Sequence, residues 1–200
     1  MKRILLLTSA LLLSLLGLTS TLAAQQTLRA DGSYLPLGHC QYTDPSPEGI
    51  GWTIGTFGDR PVGLWARASR SMLAPYEGCQ VVGVRIGVAK GVRAIDVSLL
   101  NNIIQREKIV TKTADVEFGW NEVRFDKPVE ITSGLNELVY GFQFLEKNIS
   151  DQQMPFFFSC DYNFDAPKDA FYVNVSNGPF DSRVRDNGAL LLQLMIAGPA

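Results

Sequence analysis

Histidine is almost missing from this 200-residue chain: the single one is His39. A catalytic metal held by two or three imidazoles is therefore excluded. A nucleophile–base pair would have to be built on His39 and its neighbour Cys40, and adjacent residues of an extended segment point to opposite sides. Cysteine is nearly as scarce, with Cys40, Cys79 and Cys160 only, and without a C-x-x-C spacing for zinc or thiol redox chemistry. An odd count leaves at least one thiol unpaired. If a disulfide forms, Cys40–Cys79 is the expected pair, with Cys160 a buried, inert thiol after Phe156-Phe157-Phe158-Ser159. Blocks of like charge are also lacking. Formal net charge is −2, and without Lys2 and Arg3 it is −4 (16 basic against 20 acidic). A scattered, mildly acidic surface lacks the basic footprint that nucleic acid or anionic lipid requires.

The first residues are a different kind of segment. Lys2 and Arg3 precede an apolar run from Ile4 to Leu18, and Thr21-Leu22-Ala23 supplies small residues one and three positions before a cut. This pattern predicts a signal peptide over residues 1–23. The run is shorter than the roughly 20 residues of a spanning helix, so membrane insertion after cleavage is not expected. The mature chain is expected to be secreted, periplasmic or on the cell surface.

Alternation of apolar and polar residues dominates the remainder. Val82, Val84, Ile86 and Val88 form one set, Leu138, Tyr140, Phe142 and Phe144 a second, and Leu190, Leu192, Leu194 and Ile196 a third. Further strands are expected at 51–58, 62–68, 105–111, 121–125, 129–132, 155–160 and 171–175. Between Arg93 and Val110 the spacing fits helix or strand. Asn101-Asn102 suits a turn, so two strands are expected there. About ten short strands and no long helix predict an all-β, jelly-roll-like sandwich over residues 51–200, after an irregular arm at 24–50 that packs on it or adds an edge strand.

Chemistry-bearing residues are few. Asp161, Asn163 and Asp165, with Asp169 beyond them, place alternate oxygens in one loop, the arrangement a structural Ca²⁺ uses. The EF-hand pattern fails there, because Ala166 and Tyr172 stand where glycine and glutamate belong; an ordinary hydrogen-bonded turn is the other reading, and no cofactor is expected. Tyr162, Phe164 and Phe180 put rings on loops, where they can stack on sugars or anchor a protein, or simply cover an open end of the sandwich. Trp52, Trp65 and Trp120 are expected in the core. Asp161, Asp165, Glu122 and Glu130 are candidates for a pair of glycosidic carboxylates only in the sense that any acids are. The N-glycosylation sequons at Asn148 and Asn174 read as chance matches.

The order of motifs from Trp65 to Gly198 resembles a family. It runs through Trp65-Ala66-Arg67-Ala68, Leu73-Ala74-Pro75-Tyr76-Glu77-Gly78, Gly119-Trp120-Asn121-Glu122-Val123, Glu137-Leu138-Val139-Tyr140-Gly141-Phe142 and Asn187-Gly188-Ala189-Leu190. This is similar to the accessory jelly-roll modules of secreted Bacteroidetes proteins, which are carbohydrate-binding or adhesin-like sandwiches. The length left over has no room for a peptidase, repeat or sorting domain, so the module is expected to stand alone. The resemblance implies a non-catalytic binding module for a glycan or a surface protein, using loops at one end. The alternatives are a structural or adhesive envelope component and a two-carboxylate glycoside hydrolase.

Overall fold

The structure, a computed structural model, describes residues 33–40, 51–53, 58–149, 155–158, 167–176, 178–183 and 188–199. The expected signal peptide and most of the arm lie outside these residues. Twelve strands are described: β1 (Leu35–Leu37), β2 (Gly51–Thr53), β3 (Val62–Ser69), β4 (Gln80–Lys90), β5 (Ala94–Leu100), β6 (Lys108–Asp115), β7 (Gly119–Glu130), β8 (Glu137–Phe144), β9 (Phe156–Phe158), β10 (Tyr172–Val175), β11 (Asp181–Ser182) and β12 (Leu192–Ala197). One four-residue helix, α1 (Arg70–Leu73), follows β3. No described helix is long and apolar enough to cross a membrane.

The strands form two antiparallel sheets packed face to face. The first contains β1-β12-β4, with β7 on the far side of β4 and β9-β2 extending its end; the second runs β11-β10-β3-β8-β5-β6. Read as β1-β12-β4-β7 against β3-β8-β5-β6, eight strands have the strand order of a jelly roll, in which the chain repeatedly crosses from one sheet to the other. The core between the sheets holds Leu64, Ala66, Val97, Leu99, Leu138, Tyr140 and Phe142 from one side and Val84, Ile86, Val88, Leu192, Leu194 and Ile196 from the other. Period-two burial is the cause: apolar residues two apart share a face of the pleat.

Three expectations change in detail. Val81, not Val82, is the fully buried residue opening β4, because the pairing slips between Val81 and Gly83 and moves Val82 off the core face. The expected strands at 121–125 and 129–132 are one strand, β7. Its pairing with β4 lapses between Arg124 and Val129, a stretch containing Pro128, which has no N–H to give. The strand expected at 105–111 begins later, at Lys108.

The cysteine pairing is also corrected. Cys40 is disulfide-bonded, but Cys79 is a free, buried thiol. The Cys40 carbonyl accepts a hydrogen bond from Gln193 Nε2 at 2.7 Å, and Gln193 pairs with Arg85. Arg85 stands six residues from Cys79, roughly 20 Å along the chain at strand spacing. A disulfide needs Cα atoms within about 7 Å. The third cysteine, Cys160, lies outside the described residues.

Candidate functional site

Strands β3 and β8 of the second sheet are covered on both faces. Its outer face is laid out in registered rows: Asn174, Gly63, Gln143, Asp96 and Thr113 in one, Tyr172, Trp65, Gly141, Ser98 and Thr111 in the next, then Arg67, Val139, Leu100 and Lys108. Trp65, Leu100, Val139 and Tyr172 form a second apolar cluster there, separate from the main core, with Ile103 and Phe180 packed on it. Trp65 is therefore buried, as expected, but on the outer side. Its indole N–H donates to Asn174 Oδ1 at 2.7 Å, and Asn174 Nδ2 donates to the Ser176 carbonyl at 2.9 Å. Two glycines make room for the indole. A methyl on Gly63 would overlap the Trp65–Asn174 hydrogen bond, and one on Gly141 would overlap the Leu64 carbonyl and stand 2.8 Å from Trp65 Cε3.

Two loops meet over this face. The 101–107 loop is tied by its own amides: Asn102 Oδ1 accepts from the N–H groups of Ile104 (2.9 Å) and Gln105 (2.6 Å), and Asn101 Oδ1 accepts from that of Glu107 (3.1 Å). Glu137 Oε1 fastens it to the sheet by accepting from Ile103 N–H at 2.8 Å. From the other side, Phe180 stands edge-on to Trp65, centroids 5.7 Å apart, and to Tyr172 at 6.0 Å. Arg106 joins the loops. Its guanidinium donates to the Gly178 carbonyl and lies 5.8 Å from the Phe180 ring centroid.

Between the loops lies a cleft of about 400 Å³, bordered by Pro61, Gln105, Arg106, Lys108, Gln143, Ser176 and Phe180 over a floor of Trp65, Leu100 and Asn174. Backbone irregularity concentrates here. Arg106 (φ 55°) and Ser176 (φ 56°) are the two non-glycine residues of positive φ among the described residues, and both border the cleft. A left-handed backbone costs such a residue about 1–2 kcal/mol. The β5–β6 ladder also slips: Leu99 pairs with Val110 but Leu100 pairs with Lys108, leaving Ile109 as the extra residue. Regular pairing would set Ile109 opposite Leu100. The bulge sets Lys108 there and brings its side chain to the cleft.

Beside the cleft a polar network braces the sheet. Arg67 donates to Glu137 Oε2 at 3.0 Å and to Asp169 Oδ2 at 2.6 Å, and the Tyr172 hydroxyl donates to Asp169 Oδ1 at 2.6 Å. Burial alone would raise the Asp169 carboxyl, but the hydrogen bonds from Arg67 and Tyr172 outweigh it and hold the group below the usual carboxylate range. His39 Nε2 lies 2.8 Å from the Arg67 carbonyl. Burial lowers the His39 pKa, outweighing that hydrogen bond and the nearby Asp169 charge. On the first sheet's outer face Arg85 lies 4.4 Å from the Trp120 ring centroid, and Arg85 and Arg124 are paired with Glu122, which also accepts from the Tyr34 hydroxyl. Two guanidinium groups there share one carboxylate.

Of the residues singled out in the sequence, Phe180 is placed at the cleft. Tyr162, Phe164, Asp161, Asn163 and Asp165 lie outside the described residues, as does the side chain of Trp52. Asp169, which follows the suggested Ca²⁺ segment, has both oxygens engaged by Arg67 and Tyr172. Among the described residues no cluster of three His, Cys, Asp or Glu could hold a metal. Glu122 and Glu130 sit eight residues apart on β7, roughly 25 Å at strand spacing and far beyond the reach of a glycosidic pair. Cys40 is held in a disulfide, and the sequon residue Asn174 is buried. Sequence reasoning missed Gln105, Arg106, Lys108 and Gln143, which no motif marks, and Ser176, which entered only as the last residue of the Asn174 sequon.

No family model, curated protein or solved structure matches this chain.

Proposed function

We propose that this domain is a secreted, non-catalytic glycan-binding module, and that its ligand lies in the cleft over the outer face of the second sheet, not at an end of the sandwich. The observation that carries this reading is the convergence of two left-handed residues and a strand bulge on one polar cleft with an aromatic wall. Backbone strain persists where surrounding structure enforces it, and it gathers at binding sites. The lining suits a sugar. Gln105, Gln143 and Ser176 both donate and accept, as hydroxyl groups require, and Phe180 adds an aromatic border for C–H groups. A volume near 400 Å³ falls within the roughly 300–1,000 Å³ of small-ligand sites. Among the described residues no carboxylate borders the cleft. The export signal and the likeness to secreted jelly-roll modules favour an extracellular polysaccharide.

The test is a glycan array probed with the mature chain and with Gln143→Ala. Retention of at least one glycan class, weakened tenfold or more by the variant at an unchanged melting temperature, is expected. Failure to retain any glycan, or retention indifferent to the variant, overturns the proposal.

A further inference from the structure

We infer that Glu137, Arg67, Asp169 and Tyr172 form one chain that holds the two walls of the cleft in register, and that these four position the glycan-binding groups without touching the ligand; this rests on the glycan-binding reading above. None of the four borders the cleft. The first wall, the 101–107 loop, is fixed internally by its Asn101 and Asn102 side chains, so its placement on the sheet depends on what grips it from outside. Glu137 Oε1 does so through the Ile103 N–H at 2.8 Å. The second wall carries Phe180, which stands edge-on to Tyr172 with centroids 6.0 Å apart. The short turn Lys168–Ala170, which holds Asp169, grips the same wall again, because the Lys168 carbonyl accepts from Ser182 Oγ at 3.0 Å.

Between these ends every charged member serves two partners. Glu137 accepts from the loop on Oε1 and from Arg67 on Oε2. Arg67 donates through Nη1 to Glu137 and through Nη2 to Asp169. Asp169 accepts from Arg67 on Oδ2 and from the Tyr172 hydroxyl on Oδ1. A planar guanidinium fixes the directions of both carboxylates at once. Side-chain exposures of 24% for Arg67, 20% for Glu137 and 16% for Asp169 are too low for solvent to screen these charge-assisted bonds as it screens surface pairs. A member that turned to follow one partner would lose the other, so a displacement of either wall is carried to its opposite. Walls held in place before binding spare the ligand the cost of ordering them.

The experiment uses the mature chain and three variants. Arg67→Lys cuts the chain at its middle and touches neither wall: it keeps the charge but loses the planar fork. Tyr172→Phe removes the last hydrogen bond and keeps the ring against Phe180. Arg70→Lys is the like-for-like control, since Arg70 joins Glu77 and the carbonyls of Thr132 and Leu135, none of which borders the cleft. Amide ¹⁵N–¹H spectra of the free protein come first. Shifts at both Ile103 and Phe180 in R67K, and at Ile103 in Y172F, are expected, with both amides unmoved in R70K. The glycan array follows. Glycans retained by the native chain should be held about fivefold or more weakly by R67K and Y172F, and equally well by R70K. Unmoved Ile103 and Phe180 amides in folded R67K overturn the chain; should R67K not fold, the Ile103 amide of Y172F decides alone. Moved amides with undiminished retention overturn the positioning role and leave the glycan reading standing. An array that retains nothing of the native chain overturns the glycan reading and the positioning role with it, while the spectra still decide whether the walls are joined.

Discussion

Replacing Trp65 by phenylalanine removes one donor from a place where its acceptor has little access to water. Trp65 is 1% exposed and Asn174 6%, and their hydrogen bond is 2.7 Å long. Orphaning the Asn174 oxygen costs about 1–3 kcal/mol, and the smaller ring forfeits about 1–2 kcal/mol of burial and packing. Trp65→Phe should therefore lower stability by about 2–4 kcal/mol. Asn174→Ala orphans the indole N–H from the other side, and also the Ser176 carbonyl, for a further loss of about 1–3 kcal/mol. In the double variant neither member of the indole–amide pair is left waiting for the other. Its loss should fall short of the sum by about 1–2 kcal/mol. Urea unfolding followed by far-ultraviolet circular dichroism at constant m-value measures all four corners. Additivity within about 0.5 kcal/mol would refute the reasoning, because the two side chains would then not depend on each other.

Four further outcomes follow from buried and half-buried groups. The Tyr140 hydroxyl lies in the core with no partner among the described residues, so Tyr140→Phe should leave stability unchanged or raise it; a loss above about 1 kcal/mol in urea unfolding would contradict this. The folded His39 binds its proton more weakly than the unfolded chain does, whose ordinary value is 6.5. Stability should fall as pH drops below that value, and His39→Gln should flatten this slope. Asp169, held below its ordinary 3.8, should add a second loss as pH falls past that value, absent in Asp169→Asn; stability that rises between pH 7 and 5 would contradict the His39 assignment. Without reductant, native protein should resist alkylation and unfolded protein should take up one equivalent, at Cys79; labelling at Cys40 would contradict the disulfide.

The sandwich was legible because Val84, Ile86 and Val88 of β4, Leu138, Tyr140 and Phe142 of β8, and Leu192, Leu194 and Ile196 of β12 place apolar residues at every second position, on the core face. The cleft was not, for reasons visible in the same strands. β3 and β8 are apolar at both parities, as in Leu64-Trp65-Ala66 and Leu138-Val139-Tyr140, which is how a strand covered on both faces reads. That signal marks a second covered face, whereas a tryptophan's place in a strand does not tell which of two covered faces it joins, and Trp65 joins the outer one. The positions of Arg106, Ser176 and Lys108 depend on left-handed backbone and a slipped register. Both are set by tertiary contacts: the Ser176 N–H donates to the Pro61 carbonyl at 2.7 Å, and Arg106 reaches Gly178. Phe180 was legible as an aromatic residue among turn formers, whereas its partner surface was not. The disulfide misreading has a similar origin, since chain order does not show that Cys40 lies beside Gln193, far along β4 from Cys79.

The most direct measurement is an amide ¹⁵N–¹H titration of the mature chain with the tightest oligosaccharide found on the array. The account predicts that the largest shifts fall on Gln105, Arg106, Lys108, Gln143 and Phe180, with Arg85, Trp120 and Glu122 on the opposite sheet unmoved. Shifts gathered on the first sheet or on the ends of the sandwich, with the cleft silent, would contradict it.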